Sequence, residues 1–187
     1  MSKKVFLKGT LILACTGLVS RIAGFFYRIF LSHAIGAEGL GLYQLILPLQ
    51  GLMAALSYTG IQSALSRLIA SRLALQEKKE AYFSLVTGIF AAVFFSAVTG
   101  FLLFRHADFF ASTILKAPGT SDLLRLTAAS IPLCAIHSCI DSYYYARKKA
   151  SVPAAVQLSE QTVRIGATYI LYLIFLSEGR PVTAMIA

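Results

Sequence analysis

Residues 82–104 read YFSLVTGIFAAVFFSAVTGFLLF, a run without one charged side chain and about as long as the ~20 apolar residues a helix needs to cross a bilayer. Within it Gly88, Ala92, Ser96 and Gly100 place a small residue at every fourth position. That spacing gathers them on one side of a helix, the side on which membrane helices pack closely. Four further apolar windows lie near 7–32, 40–66, 122–146 and 154–176. The sequence therefore predicts an all-α integral membrane protein of about five transmembrane helices. Its composition agrees: of 187 residues 57% are hydrophobic and 13% charged, against roughly 45–50% and 25% in soluble domains. A water-soluble domain lacks the polar residues to cover itself at such values, and lipid is the expected solvent.

The connections between the windows are short. Ile35-Gly36-Ala37-Glu38-Gly39 breaks the first pair, a charged stretch around Gln76–Glu80 the second, and Lys116-Ala117-Pro118-Gly119 the third. Gly179-Arg180-Pro181 follows the fifth window, and the apolar Val182–Ala187 reads as the start of a sixth helix, so the chain is expected to be part of a longer transporter. The basic N-terminus and the apolar run after it resemble a signal peptide. The run exceeds a normal h-region, however, and no A-x-A site follows, which predicts a retained first helix.

A net charge of +9 raises the question of nucleic acid, which its distribution answers. The basic residues fall mainly in three groups, Lys3/Lys4/Lys8, Arg67/Arg72/Lys78/Lys79 and Arg147/Lys148/Lys149, each between apolar windows. The alternate connections hold Arg105, Lys116, Arg125 and Arg180. Basic loops are retained in the cytoplasm, so the pattern gives topology and not a nucleic-acid surface, with a cytoplasmic N-terminus in a multi-pass protein of the cell membrane. Tyr143, Tyr144 and Tyr145 before Arg147 suit an interfacial anchor. Cys15, Cys134 and Cys139 form no pair with redox or zinc spacing and read as small core residues. No HExxH, GxSxG or Walker motif is present, which argues against an enzyme, a metal and a cofactor.

Polar residues inside the windows are the candidates for chemistry. Gly17, Ser20, Arg21, Gly24, Arg28 and Ser32 recur at spacings of three, four and seven, a polar stripe on the first helix. Counted from Lys8, Arg21 lies roughly 20 Å and Arg28 roughly 30 Å along the helix. A charge at the depth of Arg21 costs about 2.5–3.5 kcal/mol on insertion scales, so it meets a partner or a watery cavity. A guanidinium gives a phosphate or pyrophosphate two parallel hydrogen bonds and stays charged. In the second window Gln44, Pro48 and Gln50 suit a bent helix lining a cavity. The fifth carries Gln157, Glu160, Gln161 and Arg164 on one side, with Glu160 and Arg164 spaced to pair, either to bind a coupling ion or to hold structure. His137 and Asp141, one turn apart, have the spacing of a proton relay.

Three stretches carry a family resemblance: Lys8-Gly9-Thr10-Leu11-Ile12-Leu13, Ser20–Arg28 with its Ser-Arg pair, and Ile35-Gly36-Ala37-Glu38-Gly39-Leu40-Gly41-Leu42-Tyr43-Gln44. Together with Pro153–Arg164 they resemble the stage V sporulation protein B and polysaccharide-transport branch of the multidrug/oligosaccharidyl-lipid/polysaccharide exporter superfamily. The resemblance implies a MATE-like transporter of two lobes, this chain supplying most of the N-terminal lobe and a C-terminal lobe completing it. It implies a flippase for polyprenyl-pyrophosphate-linked saccharides in cell-envelope, polysaccharide or spore-cortex synthesis. Related peptidoglycan-precursor flippases depend on first-helix arginines. Arg21 matches the Ser-Arg motif, whereas Arg28 fits the sporulation branch and is displaced by one residue from the peptidoglycan branch. Arg21, Arg28, Gln44 and Gln50 are thus the expected substrate contacts. A drug/cation antiporter of the same fold and a non-transporting membrane scaffold are the alternatives.

Overall fold

The computed structural model describes residues 3–177, with side chains from residue 9. The side chains of Lys3, Lys4 and Lys8, and residues 178–187 with the expected sixth helix, lie outside the described residues. Those described form an all-α membrane protein without strands: α1 Lys3–Ala54, α2 Gly60–Ala74, α3 Lys78–Arg105, the one-turn α4 Ala107–Phe109, α5 Ser121–Ala146 and α6 Ser151–Ser177. Three helical stretches are long and apolar enough to cross a bilayer, Gly9–Ala74, Lys78–Arg105 and Pro118–Ala146. The first contains two of the windows that the sequence marks. At 66 residues and ~1.5 Å per residue it would be about three times the ~30 Å hydrocarbon thickness if unbroken. The break falls on the single residue Gly36, whose φ of 75° and ψ of 175° leave the helical region, where the sequence predicts a five-residue turn. Helix α6 has 27 residues but is not among the three stretches, because Gln157, Glu160, Gln161 and Arg164 lower its apolar content.

Aliphatic and aromatic side chains are exposed along these helices, Phe90 and Phe101 at 73% and 67%. At ~25 cal/mol per Å² such exposure to water would work against folding, whereas acyl chains solvate it without penalty.

The chain divides into two compact units. One combines the N-terminal residues up to Tyr43 with the segment from Lys148 onward, and the other is Gln44–Arg147. In the second unit, α2 and α3 are antiparallel across a turn in which Gln76 takes a φ of 61°, and α5 returns alongside both. Cys139 Sγ approaches the Gly88 carbonyl at 3.9 Å, and Ser142 Oγ donates to the Gln62 carbonyl at 3.2 Å. The small residues of 82–104 serve the contact they predict, with Ala92 and Ser96 fully buried. Gly100 is required there, since a Cβ would stand 2.8 Å from the Ala128 carbonyl oxygen. That oxygen is the one whose helical donor Pro132 lacks.

Two apolar clusters hold this unit together. One gathers Ile46, Leu49, Met53, Leu103 and Leu124, the other Leu65, Ile69, Leu85, Ala135 and Cys139. The antiparallel order brings the α2 C-terminus, the α3 N-terminus and the α5 C-terminus to one end, and with them Arg72, Lys78, Lys79 and Arg147. At the opposite end, which also carries Arg105 and Lys116, Arg125 donates at 2.9 Å to both Asp108 and Asp122. Pro48 bends the logic of α1 in this unit, as it has no N–H for the Gln44 carbonyl. The helix then widens into a π-turn at Ala55–Thr59, where Ser57 Oγ takes up the Met53 carbonyl at 2.6 Å.

Candidate functional site

The first unit is built on α6 running beside residues 9–35 of α1. A Cβ on Gly9 would lie 3.9 Å from Ala150 Cβ, and one on Gly24 would lie 3.8 Å from Gln161 Nε2. Further along, Tyr27 Oη is 3.2 Å from Thr168 Oγ1, and the Phe30 ring meets those of Tyr169 and Tyr172 at 5.9 and 5.5 Å. Partner numbers rise together, so the two helices are parallel and begin at the same end, where Lys148 and Lys149 precede α6.

This register sorts the residues of both helices. On α1 the seam is marked by Gly9, Gly24 and Tyr27, with Ser20 one turn before Gly24. At ~100° per residue Arg21 and Arg28 lie about 100° to one side of it. On α6 the seam passes through Gln161 and Thr168, with Gln157 about 30°, Arg164 about 50° and Glu160 about 90° off in the opposite rotational sense. For parallel helices facing one another, opposite rotations lead to the same flank. Arg21, Arg28, Gln157, Glu160 and Arg164 therefore share one side of the helix pair. Phe30 and Tyr169 share the other, as their ring contact requires.

The polar stripe that the sequence marks on α1 is thus divided in the structure: Ser20 and Gly24 turn to the seam, while the arginines stay exposed beside it. Neither Arg21 nor Arg28 has an ion-pair or hydrogen-bond partner among the described residues. Arg164 is held differently. Its Nη2 donates to Gln161 Oε1, and its Cζ lies 5.0 Å from the centre of the Tyr27 ring. Thr168 Oγ1, the neighbour of Tyr27 Oη, also donates to the Arg164 carbonyl at 2.9 Å. Glu160 is exposed one turn before Arg164 on the same flank. Ser20 Oγ and Gln161 Nε2 are buried on the seam without a hydrogen-bond partner among the described residues.

Gln44 and Gln50 belong to the second unit, Gln44 exposed and Gln50 half-buried beside Pro48. His137 and Asp141 are there too, with Nε2 and Oδ2 3.7 Å apart, too long for a hydrogen bond between them. Of the cysteines only Cys139 is buried; Cys15 is exposed on α1 and is not a core residue. Tyr27 and Thr168, which brace Arg164, escape a reading of the sequence because neither is charged and 141 positions separate them.

Residues 6–187 match the model of a family described as polysaccharide biosynthesis protein. The chain belongs to that family. Two curated relatives are similar to it along nearly its whole length. It is 34% identical over 184 residues to Stage V sporulation protein B of Bacillus subtilis (strain 168), covering 96% of this chain and 35% of the relative. It is 24% identical over 187 residues to Lipid II flippase MurJ of the same organism, covering 94% and 34%. The chain spans about a third of the length of those relatives. No solved structure matches it.

Proposed function

We propose that the protein works as a flippase, carrying a polyprenyl-pyrophosphate-linked saccharide across the bacterial cytoplasmic membrane by alternating access between two lobes, with this chain forming most of the N-terminal one. The observation that carries the reading is the cationic flank of the α1 and α6 pair. Three guanidiniums against one carboxylate gather on one side of two membrane helices, and an anionic head group is the partner that compensates them. Arg21 and Arg28 are the head-group contacts, Gln44 and Gln50 further candidate substrate contacts, and Glu160 with Arg164 the coupling or structural pair. The names of both curated relatives agree with envelope or spore synthesis, and one of them is itself called a lipid flippase. The same flank opposes a drug/cation antiporter, since arginines repel a cation. Flipping leaves the substrate's covalent bonds unchanged, so no catalytic residue is required.

Binding separates transport from scaffolding. The complete gene product in neutral-lipid nanodiscs is expected to bind a polyprenyl diphosphate, and Arg21→Ala together with Arg28→Ala to lose at least about ten-fold in affinity, the worth of one charge-assisted hydrogen bond. Equal binding by wild type and double variant would leave the scaffold as the better reading.

Topology is a second expected outcome. Basic residues collect at one end of the second unit, and the parallel helices of the first begin beside Lys148 and Lys149. Single cysteines near Lys78 and Lys148 are expected to react only with a reagent that reaches the cytoplasm, and those near Glu38 and Lys116 with an impermeant one from outside. The reverse pattern would overturn the cytoplasmic N-terminus.

A further inference from the structure

We propose that Arg164 makes the cationic flank selective for a diphosphate over a monophosphate, an inference that rests on Arg21 and Arg28 being head-group contacts. Arg21 and Arg28 are seven residues apart, ~10 Å along the helix axis, too far for one compact diphosphate to be shared between them at a single level. Arg164 supplies the missing neighbour. Its guanidinium lies over the ring of Tyr27, the residue directly before Arg28, and the register puts Arg28 and Arg164 on the same flank. Two guanidiniums from two helices thus stand at one level, one for each phosphate.

Arg164 is also the better prepared of the two. The Tyr27 ring supports its guanidinium from one side, Gln161 Oε1 takes one of its five N–H groups, and Thr168 ties the backbone of Arg164 to the Tyr27 hydroxyl. A guanidinium fixed in advance loses less side-chain entropy when it grips a phosphate. The bond from Arg164 also fixes the Gln161 amide, because only its oxygen can face a guanidinium. The amide nitrogen is thereby committed to the space that Gly24 leaves open. Removing Arg164 should therefore cost the second phosphate its ligand and leave the first in place. Tyr27 is a positioning residue, and the ring, not the hydroxyl, carries most of that role.

The test uses the complete gene product in phosphatidylcholine nanodiscs, titrated separately with a polyprenyl diphosphate and the corresponding monophosphate, with inorganic pyrophosphate and phosphatidylglycerol vesicles as competitors. Wild type is expected to prefer the diphosphate by about ten-fold, with pyrophosphate competing and phosphatidylglycerol not. Arg164→Gln should lower diphosphate affinity to the monophosphate level without changing the latter, and Tyr27→Leu should move in the same direction. Tyr27→Phe should keep the preference. Equal loss of both ligands in Arg164→Gln and in Arg164→Lys, or an unchanged ratio in either pair of titrations, would overturn the assignment. So would phosphatidylglycerol competing as well as the diphosphate, which would mark a general anionic-surface contact. If Arg21→Ala and Arg28→Ala remove binding while the Arg164→Gln ratio stays at the wild-type value, only the role of Arg164 falls. If none of these variants affects binding, the head-group reading falls with it.

Discussion

Arg21→Ala is expected to abolish complementation of a flippase-deficient bacterial strain while the protein accumulates in the membrane at the wild-type level. The two halves of this result have separate causes. Arg21 has no partner among the described residues, so its removal leaves no buried carboxylate uncompensated, and insertion loses a charge that costs about 2.5–3.5 kcal/mol in a helix centre. Transport, by contrast, loses a head-group contact worth on the order of 1.5–3 kcal/mol, or about ten-fold or more in rate if the contact is made on the way across. Arg21→Lys should rescue poorly, because an ammonium keeps the charge and loses the planar two-pronged fit. Immunoblots of membrane fractions beside growth measurements check both halves. An Ala variant that fails to accumulate would make Arg21 structural, and one with full activity would remove it from the site.

The largest expected effect on folding is at Gly36. Its φ of 75° and ψ of 175° belong to a region that is essentially closed to L side chains, at a cost of order 1–3 kcal/mol. A Cβ there would meet nothing within 4 Å, so the penalty of Gly36→Ala is purely one of backbone conformation. Gly60 is the matched control. It too has open space around a would-be Cβ, but its φ of −64° and ψ of −44° are helical. Gly60→Ala should be neutral or raise stability by up to ~1 kcal/mol. Thermal unfolding followed by size-exclusion chromatography in detergent is expected to show a clear drop for Gly36→Ala and none for Gly60→Ala. Equal behaviour of the two would contradict the break at residue 36.

Much of this fold is legible in the sequence because lipid imposes few rules. Runs such as 82–104 have no alternative to an apolar helix, and the fourfold spacing of Gly88, Ala92, Ser96 and Gly100 announces the face that α2 and α5 cover. The break near residues 35–39 is legible as a turn, but its contraction to Gly36 alone is not, since the neighbouring Ala37, Glu38 and Gly39 satisfy a helix as well as a loop. Pro48 signals a bend, whereas the π-turn after it depends on Ser57 reaching back to the Met53 carbonyl, a hydrogen bond no spacing rule specifies.

The candidate site was legible helix by helix. The arginines declare themselves by their cost in a membrane, and Gln157, Glu160, Gln161 and Arg164 by their common side. The periodicity of one helix cannot give the register against another. The division of Ser20 and Gly24 from Arg21 and Arg28, and the shelf that Tyr27 gives Arg164, are products of that register. Cys15 shows the same limit from the other direction, because an apolar setting in sequence does not distinguish the seam of a helix from its exposed back.

The proposed role of the cationic flank is to serve movement of a lipid diphosphate across the bilayer. It is tested most directly with the complete gene product in proteoliposomes that contain a fluorescent polyprenyl-diphosphate-linked saccharide, using an impermeant quencher to read how much label faces outward with time. The expected result is faster exchange between leaflets with wild-type protein than in protein-free liposomes, and no acceleration with Arg21→Ala reconstituted at equal density. Exchange at the protein-free rate with wild-type protein, or equal acceleration by wild type and Arg21→Ala, would contradict it.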